Sequence, residues 1–156
     1  MRETSTTEKV KSAKQLETPV QTGVVVVTHA HYGASLIEAA EFILGKQQWC
    51  EFVSVDGTRA VEDTRNEIQV AVSSCDQGQG VIILTDMFGG TPTNLSLSLL
   101  GAQNLEVVTG VNLPMLLKVL GSRSKEPADL ALDAKAAGSQ GIVVAGEILR
   151  SKVGGK

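Results

Sequence analysis

Residues 23–45 read GVVVVTHAHYGASLIEAAEFILG, and the class of the domain follows from them. The first part, Gly23–Thr28, is a β-branched run apolar on both faces, the pattern of a central strand covered by helices on either side. The second part places Leu36, Ile37, Ala40, Ile43 and Leu44 at helical spacing, with Gly45 as a stop signal. A buried strand feeding an amphipathic helix is the first half of a βαβ unit.

The same alternation continues along the chain. Cys50–Val55 predicts a second strand and Thr58–Ser74 a second helix, with Val61, Ile68, Ala71 and Val72 on its inner stripe. Gly80–Thr85 (GVIILT) is again apolar on both faces and predicts a third strand, followed by the loop DMFGGTPTN and a helix over Pro92–Leu100. Leu105–Thr109 predicts a fourth strand, GVNLPMLLKVL a helix opened by its proline, and Pro127–Ala137 another helix. A short final run, Ile142–Ala145, predicts one more strand. The expected fold is α/β, a doubly wound, mostly parallel sheet of four strands in the order 2-1-3-4 plus the short C-terminal strand, with helices on both faces.

Bulk properties narrow the function. The chain has 156 residues, 42% hydrophobic, enough for one domain with a real core. The domain is expected over 23–150, between a polar tail at 1–22 that carries too little apolar surface to order itself and a short tail at 151–156. A formal net charge of -3 with dispersed lysines and arginines excludes the basic patch that nucleic acids require. Cys50 and Cys75 have neither CxxC spacing nor a secretory leader near them, so both read as small apolar packing residues. No apolar run approaches the roughly 20 residues that cross a bilayer, and a cytoplasmic location is expected.

In open α/β sheets, ligands bind beyond the carboxyl ends of the strands, where the strand order reverses. With the order 2-1-3-4 that point lies between strands one and three, which brings His29 beside Asp86. The DMFGGTPTN loop adds Gly89 and Gly90, which tolerate φ > 0, and Thr91-Pro92, which reads as a helix N-cap followed by the first helical position. Such a loop cradles an anion, although a plainly structural helix start has the same sequence. A neutral imidazole with a carboxylate on one nitrogen and an anion cradle nearby is equipped to attack phosphorus through the other nitrogen. The implied product is a phosphohistidine, its oxygens held by Thr91 and the amides around Gly90.

On these residues the chain resembles the IIA domain of the mannose (mannose–fructose–sorbose) family of the bacterial phosphoenolpyruvate-dependent sugar phosphotransferase system. The motifs VVVVTHAHYGASLIEAAEFILG, GVIILTDMFGGTPTNLSLSLL and VVTGVNLPMLLKVL stand in the family's order at about its spacing, across Gly23–Gly146. The resemblance implies a phosphotransferase that works as a homodimer, accepts a phosphoryl group from the phosphocarrier protein HPr on His29, and passes it to a IIB protein in sugar uptake. It also implies an indirect association with the membrane components IIC and IID. Within it Asp86 matches the aspartate opening the D-x-x-G-G-[ST]-P loop, and Thr91 the phosphate-contacting hydroxyl. The family's usual glycine after the reactive histidine is Ala30 here. Since the chain ends at Lys156, the acceptor is expected on a separate IIB protein. No cofactor is called for.

Two other readings were open on the sequence. A regulatory protein of the same system would use the phosphorylation state of the histidine to control a partner. A metal-dependent hydrolase would use His29, His31 and Asp86, but the expected metal content is none, because the chain has no third histidine and its cysteines fall elsewhere. Asn112 and Pro114 read as loop-shaping residues, and Tyr32 as a packing residue near the mouth of the crevice.

Overall fold

The computed structural model describes residues 19–101 and 103–154; the expected tail at 1–22 lies largely outside them. Four strands, β1 (Gly23–His29), β2 (Cys50–Val55), β3 (Val81–Thr85) and β4 (Leu105–Thr109), form one sheet in the order β2-β1-β3-β4, every pairing parallel. This is the expected order. The helices are α1 (Tyr32–Leu44), α2 (Val61–Cys75), α3 (Thr91–Leu97), α4 (Leu113–Leu120), α5 (Pro127–Gln140) and α6 (Ala145–Val153).

The valine run explains the layering. Val24, Val25, Val26 and Val27 are all fully buried, and alternate side chains point to opposite faces of the sheet. Val24 and Val26, with Ile82 and Leu84 of β3, pack against Ala40 of α1, Leu116 and Val119 of α4, and Leu130 and Ala134 of α5. Val25 and Val27, with Ile83, meet Ile68, Ala71 and Val72 of α2 and Leu95 of α3. Each fully buried valine contributes about 1.5–3 kcal/mol of transfer free energy, so one strand anchors both layers. At Gly33 an added Cβ would lie 2.9 Å from Val26 Cγ1, so a larger residue there would push the first turn of α1 off the strand. The Gly33 amide instead donates to Thr28 Oγ1 at 2.8 Å.

At the amino end of the sheet Arg123 is only 3% exposed, and it has no carboxylate partner among the described residues. Its guanidinium donates to the carbonyls of Thr22 (2.8 Å), Gln48 (2.7 Å) and Trp49 (3.1 Å), tying three segments together. Burial pulls its pKa below the ordinary value. Burial likewise pushes the nearby thiols up, Cys50 to about 12 and Cys75 to about 11, so both are protonated and unreactive at neutral pH. Both are free, as packing residues would be.

The short C-terminal strand is not formed. Gly141 closes α5, and Ile142, Val143 and Val144 leave it 77%, 60% and 61% exposed, before α6 begins at Ala145. β-branched residues favour a strand only where a neighbouring strand supplies hydrogen bonds, and here the chain turns away from the sheet. Helix α6 has no buried residue, so the packed body of the described residues ends with α5. Helix α3 is also shorter than expected, giving way to turns after Leu97.

Candidate active site at the carboxyl end of the sheet

Strand β1 delivers His29 as its last residue, and Asp86 follows directly after β3. These residues, 57 apart in sequence, meet through two hydrogen bonds to one carboxylate oxygen. Asp86 Oδ2 accepts from the His29 backbone amide at 2.8 Å and lies 2.7 Å from His29 Nδ1. Oδ1 accepts from the Met87 amide at 2.9 Å. Burial alone would raise the Asp86 carboxyl, but the His29 amide, the His29 ring and the Met87 amide together hold it below the usual carboxylate value. An ionised Asp86 only accepts, so Nδ1 carries the ring proton and, in the neutral imidazole, Nε2 carries the lone pair. The imidazole is half-exposed while Asp86 is 13% exposed, which leaves the ring as the accessible member of the pair.

The glycine loop closes over the ring. A Cβ at Gly90 would lie 3.1 Å from His29 Cε1, so the absence of a side chain lets the loop backbone approach the imidazole. Gly89 adopts φ 80°, a conformation that disfavours other residues. Gly90, and not Thr91, is the N-cap of α3, and Thr91 and Pro92 open the helix with no side-chain capping bond at the cap position. The reason is local: Gly90 takes the extended backbone (φ -81°, ψ 167°) that a cap needs, so Thr91 enters the first turn instead of capping it.

A cavity of about 290 Å³ opens beside the ring, lined by His29, Val55, Asp56, Arg59, Thr64 and Thr91 among others. It therefore brings His29 and Thr91 to one space, with Gly90 against the ring and Gly89 next in the loop. His31 does not line it; that residue is exposed, precedes the first turn of α1, and makes no side-chain capping bond. Among the described residues no group of three histidines, cysteines or carboxylates converges in a way that could hold a metal ion.

Several supporting residues escaped the sequence reading. Thr93 Oγ1 donates to Met87 O at 2.7 Å and so receives its 2.6 Å contact from Thr85 Oγ1, a buried relay that fixes the loop after Asp86 to both β3 and α3. Nothing in the sequence distinguishes this hydroxyl from other threonines of the loop. Arg59 belongs to the loop after β2, and its place near His29 follows from the β1–β2 register, which sets His29 opposite Val55. Ala30 takes φ 46°, held there by its amide on Val55 O and by Ser54 Oγ donating to its carbonyl at 2.7 Å. Tyr32 does more than pack, since its hydroxyl donates to Val111 O at 2.9 Å and ties the start of α1 to the β4–α4 loop. Asn112 is structural, capping α4 through Met115 N and donating to Gly138 O.

The chain is similar to known proteins. The chain is 31% identical over 109 residues to the mannose-specific EIIAB component of the phosphotransferase system of Escherichia coli K12, a match covering 67% of this chain and 33% of that protein. It thus spans about a third of that relative's length. It is 34% identical over 102 residues to the sorbose-specific EIIA component of Lacticaseibacillus casei, covering 62% of this chain and 70% of that one. The crystal structure of the phosphotransferase system component EIIA from Streptococcus agalactiae superposes with a TM-score of 0.74 at 25% identity, over 81% of this chain and 98% of that one. The family model described as PTS system fructose IIA component matches residues 23–135, a span that holds β1 to β4, His29, Asp86 and the glycine loop. With that match over most of its length, this chain belongs to the mannose-type IIA family of the sugar phosphotransferase system.

Proposed function

We propose that this chain is a phosphocarrier: His29 accepts a phosphoryl group from phosphorylated HPr and passes it to a IIB domain in sugar uptake. The observation that carries the reading is the 2.7 Å contact of Nδ1 with Asp86, which leaves Nε2 as the nucleophile. In the forward step the Nε2 lone pair forms a bond to phosphorus while the bond between phosphorus and HPr breaks, its electron pair staying with HPr. The ring becomes a phosphorylated imidazolium whose Nδ1 keeps its proton and donates it to Asp86 in a hydrogen bond, and the carboxylate balances that charge. Thr91 and the backbone at Gly89 and Gly90 receive the phosphoryl oxygens, a role supported by the shared cavity and by the loop's contact with the ring. Attack on IIB reverses the sequence.

A homodimer belongs to the same reading. Strand β4 has an open outer edge, a groove of about 380 Å³ runs between it and α5 past Val107, Thr109 and Leu132, and Thr109 Oγ1 is buried with no hydrogen-bond partner among the described residues. The exposed Ile142–Val144 run of a second copy is the expected occupant of that edge. No described helix is long and apolar enough to cross a membrane; an indirect association with IIC and IID belongs to the same reading.

The test is incubation with phosphoenolpyruvate, enzyme I and HPr, followed by intact-mass measurement of wild type, His29→Ala and His31→Ala. One acid-labile phosphate is expected on wild type and on His31→Ala and none on His29→Ala. Labelling that survives the loss of His29 would overturn the assignment.

A further inference from the structure

The cavity beside His29 presents an electrostatic problem for the proposed phosphohistidine. A phosphoryl group adds between one and two negative charges. Asp86 already lies against one edge of the imidazole, and Asp56 lines the same cavity. The Asp56 carboxyl is held below its usual value, first by the Thr58 amide and hydroxyl, and so is ionised. Two carboxylates near a dianion favour losing the phosphate unless a cation offsets them.

Arg59 is the one lysine or arginine among the residues lining that cavity. Its position is built by the turn after β2, in which the Thr58 amide donates to Asp56 Oδ1 at 2.8 Å and the Arg59 amide donates to Asp56 O at 3.3 Å. Its side chain is 43% exposed and reaches Glu67 of α2, with Nη1 2.5 Å from Oε2. A guanidinium has five N–H donors in a planar fork, so this single pairing leaves an edge to bind phosphoryl oxygens.

We infer that Arg59 binds the phosphoryl group of phosphorylated His29 and that Glu67 holds the guanidinium beside the cavity while His29 is unmodified. This deepens the phosphocarrier reading and rests on it. Arg59 would shift the phosphate equilibrium toward this chain, and Glu67, by offsetting part of the guanidinium charge from its other edge, would keep that hold weak enough for the phosphate to move on.

The experiment compares wild type, Arg59→Met, Arg59→Lys and Glu67→Gln in two arms. In the first, phosphoramidate phosphorylates the histidine without any protein donor, and phosphorus NMR follows hydrolysis of the phosphohistidine. In the second, HPr with enzyme I and phosphoenolpyruvate brings the chain to equilibrium, and intact mass gives the phosphorylated fractions of both proteins. Arg59→Met is expected to shorten the phosphohistidine half-life and lower the ratio of phosphorylated chain to phosphorylated HPr, each about five- to tenfold, as for a partly exposed charge-assisted contact. Arg59→Lys should retain part of the effect, and Glu67→Gln should lengthen the half-life. Wild type labelled on His29, with Arg59→Met unchanged in half-life, would overturn this inference alone; that includes the case in which only the HPr arm responds, since Arg59 would then contact HPr and not the phosphate. Absence of any label on wild type would overturn the phosphocarrier reading as well.

Discussion

Replacing Asp86 with asparagine is expected to slow phosphorylation of His29 by about 10²–10³-fold while leaving the chain folded. Three N–H groups surround the carboxylate: the amide and Nδ1 of His29 at 2.8 and 2.7 Å on Oδ2, and the Met87 amide at 2.9 Å on Oδ1. An asparagine has one accepting and one donating end, so it satisfies one side only. With its oxygen toward His29, its nitrogen opposes the Met87 amide, the tautomer survives, and the negative charge that balances the phosphorylated ring is gone. With its nitrogen toward His29, it opposes the backbone amide and drives the ring proton to Nε2, which removes the attacking lone pair. Either arrangement leaves at least one donor unmet, at about 1–2 kcal/mol of stability, or roughly 3–8 °C of melting temperature. The rate factor corresponds to about 2.7–4 kcal/mol of barrier, larger than the stability loss, so the two effects separate. Rapid-quench phosphorylation with HPr, read by intact mass, and thermal melting of the same sample give both numbers. An Asp86→Asn protein phosphorylated at the wild-type rate, with its melting point lowered as stated, would refute the tautomer argument.

Other predictions concern the supports of the site and the body of the fold. Thr93→Val breaks the relay to Met87 O and leaves buried Thr85 Oγ1 short of a partner; it should cost about 1–3 kcal/mol in denaturant unfolding and slow phosphorylation through loosening of the Asp86 loop. Ala30→Gly should be near neutral, because relief of about 1 kcal/mol of left-handed strain offsets a similar rise in unfolded-chain entropy, whereas Ala30→Val should destabilise by more than 1 kcal/mol in the same melts. Arg123→Met removes three charge-assisted bonds to backbone carbonyls from a buried guanidinium and is expected to lower stability by about 3 kcal/mol, roughly 10 °C. Asp86 has its folded pKa below the ordinary 3.8, so its contribution is full above that value and is lost as pH falls through the lowered one. Acid titration of wild type should therefore show a stability loss below about pH 4 that Asp86→Asn lacks.

The sheet order, the layers and the His29–Asp86 pair were legible because each rests on a rule tied to a visible pattern. Apolar runs such as VVVV and VIIL mark strands buried on both faces, right-handed crossovers limit their order, and that order places the residues at two strand ends together. Arg59 was not legible, since its approach to His29 depends on the register of β1 on β2, which sequence leaves open. Thr93 was hidden for another reason: a threonine in a helix acquires a role only from the carbonyl that it meets. Ile142–Val144 misled because β-branched residues report a preference for a paired strand, and pairing requires a neighbour that the sequence cannot supply. The GGTP loop lay between these cases: Gly89 takes the positive φ that a glycine allows, Gly90 is extended, and the cap is displaced by one residue, within the ordinary variation of a helix end.

The central place of β1 also has a cost during synthesis. The four valines leave the ribosome with the first strand, but their partner on one side, β3, follows with Asp86, 57 residues after His29. At 5–20 residues per second, that is an interval of about 3–11 s in which the most apolar strand of the chain lacks a neighbour on one edge. Such a segment has the composition that seeds intermolecular cross-β pairing. Translation stalled between α2 and β3 is therefore the stage at which nascent chains of this protein should most depend on chaperones, and stalled chains ending there should aggregate more readily than chains that already include β3.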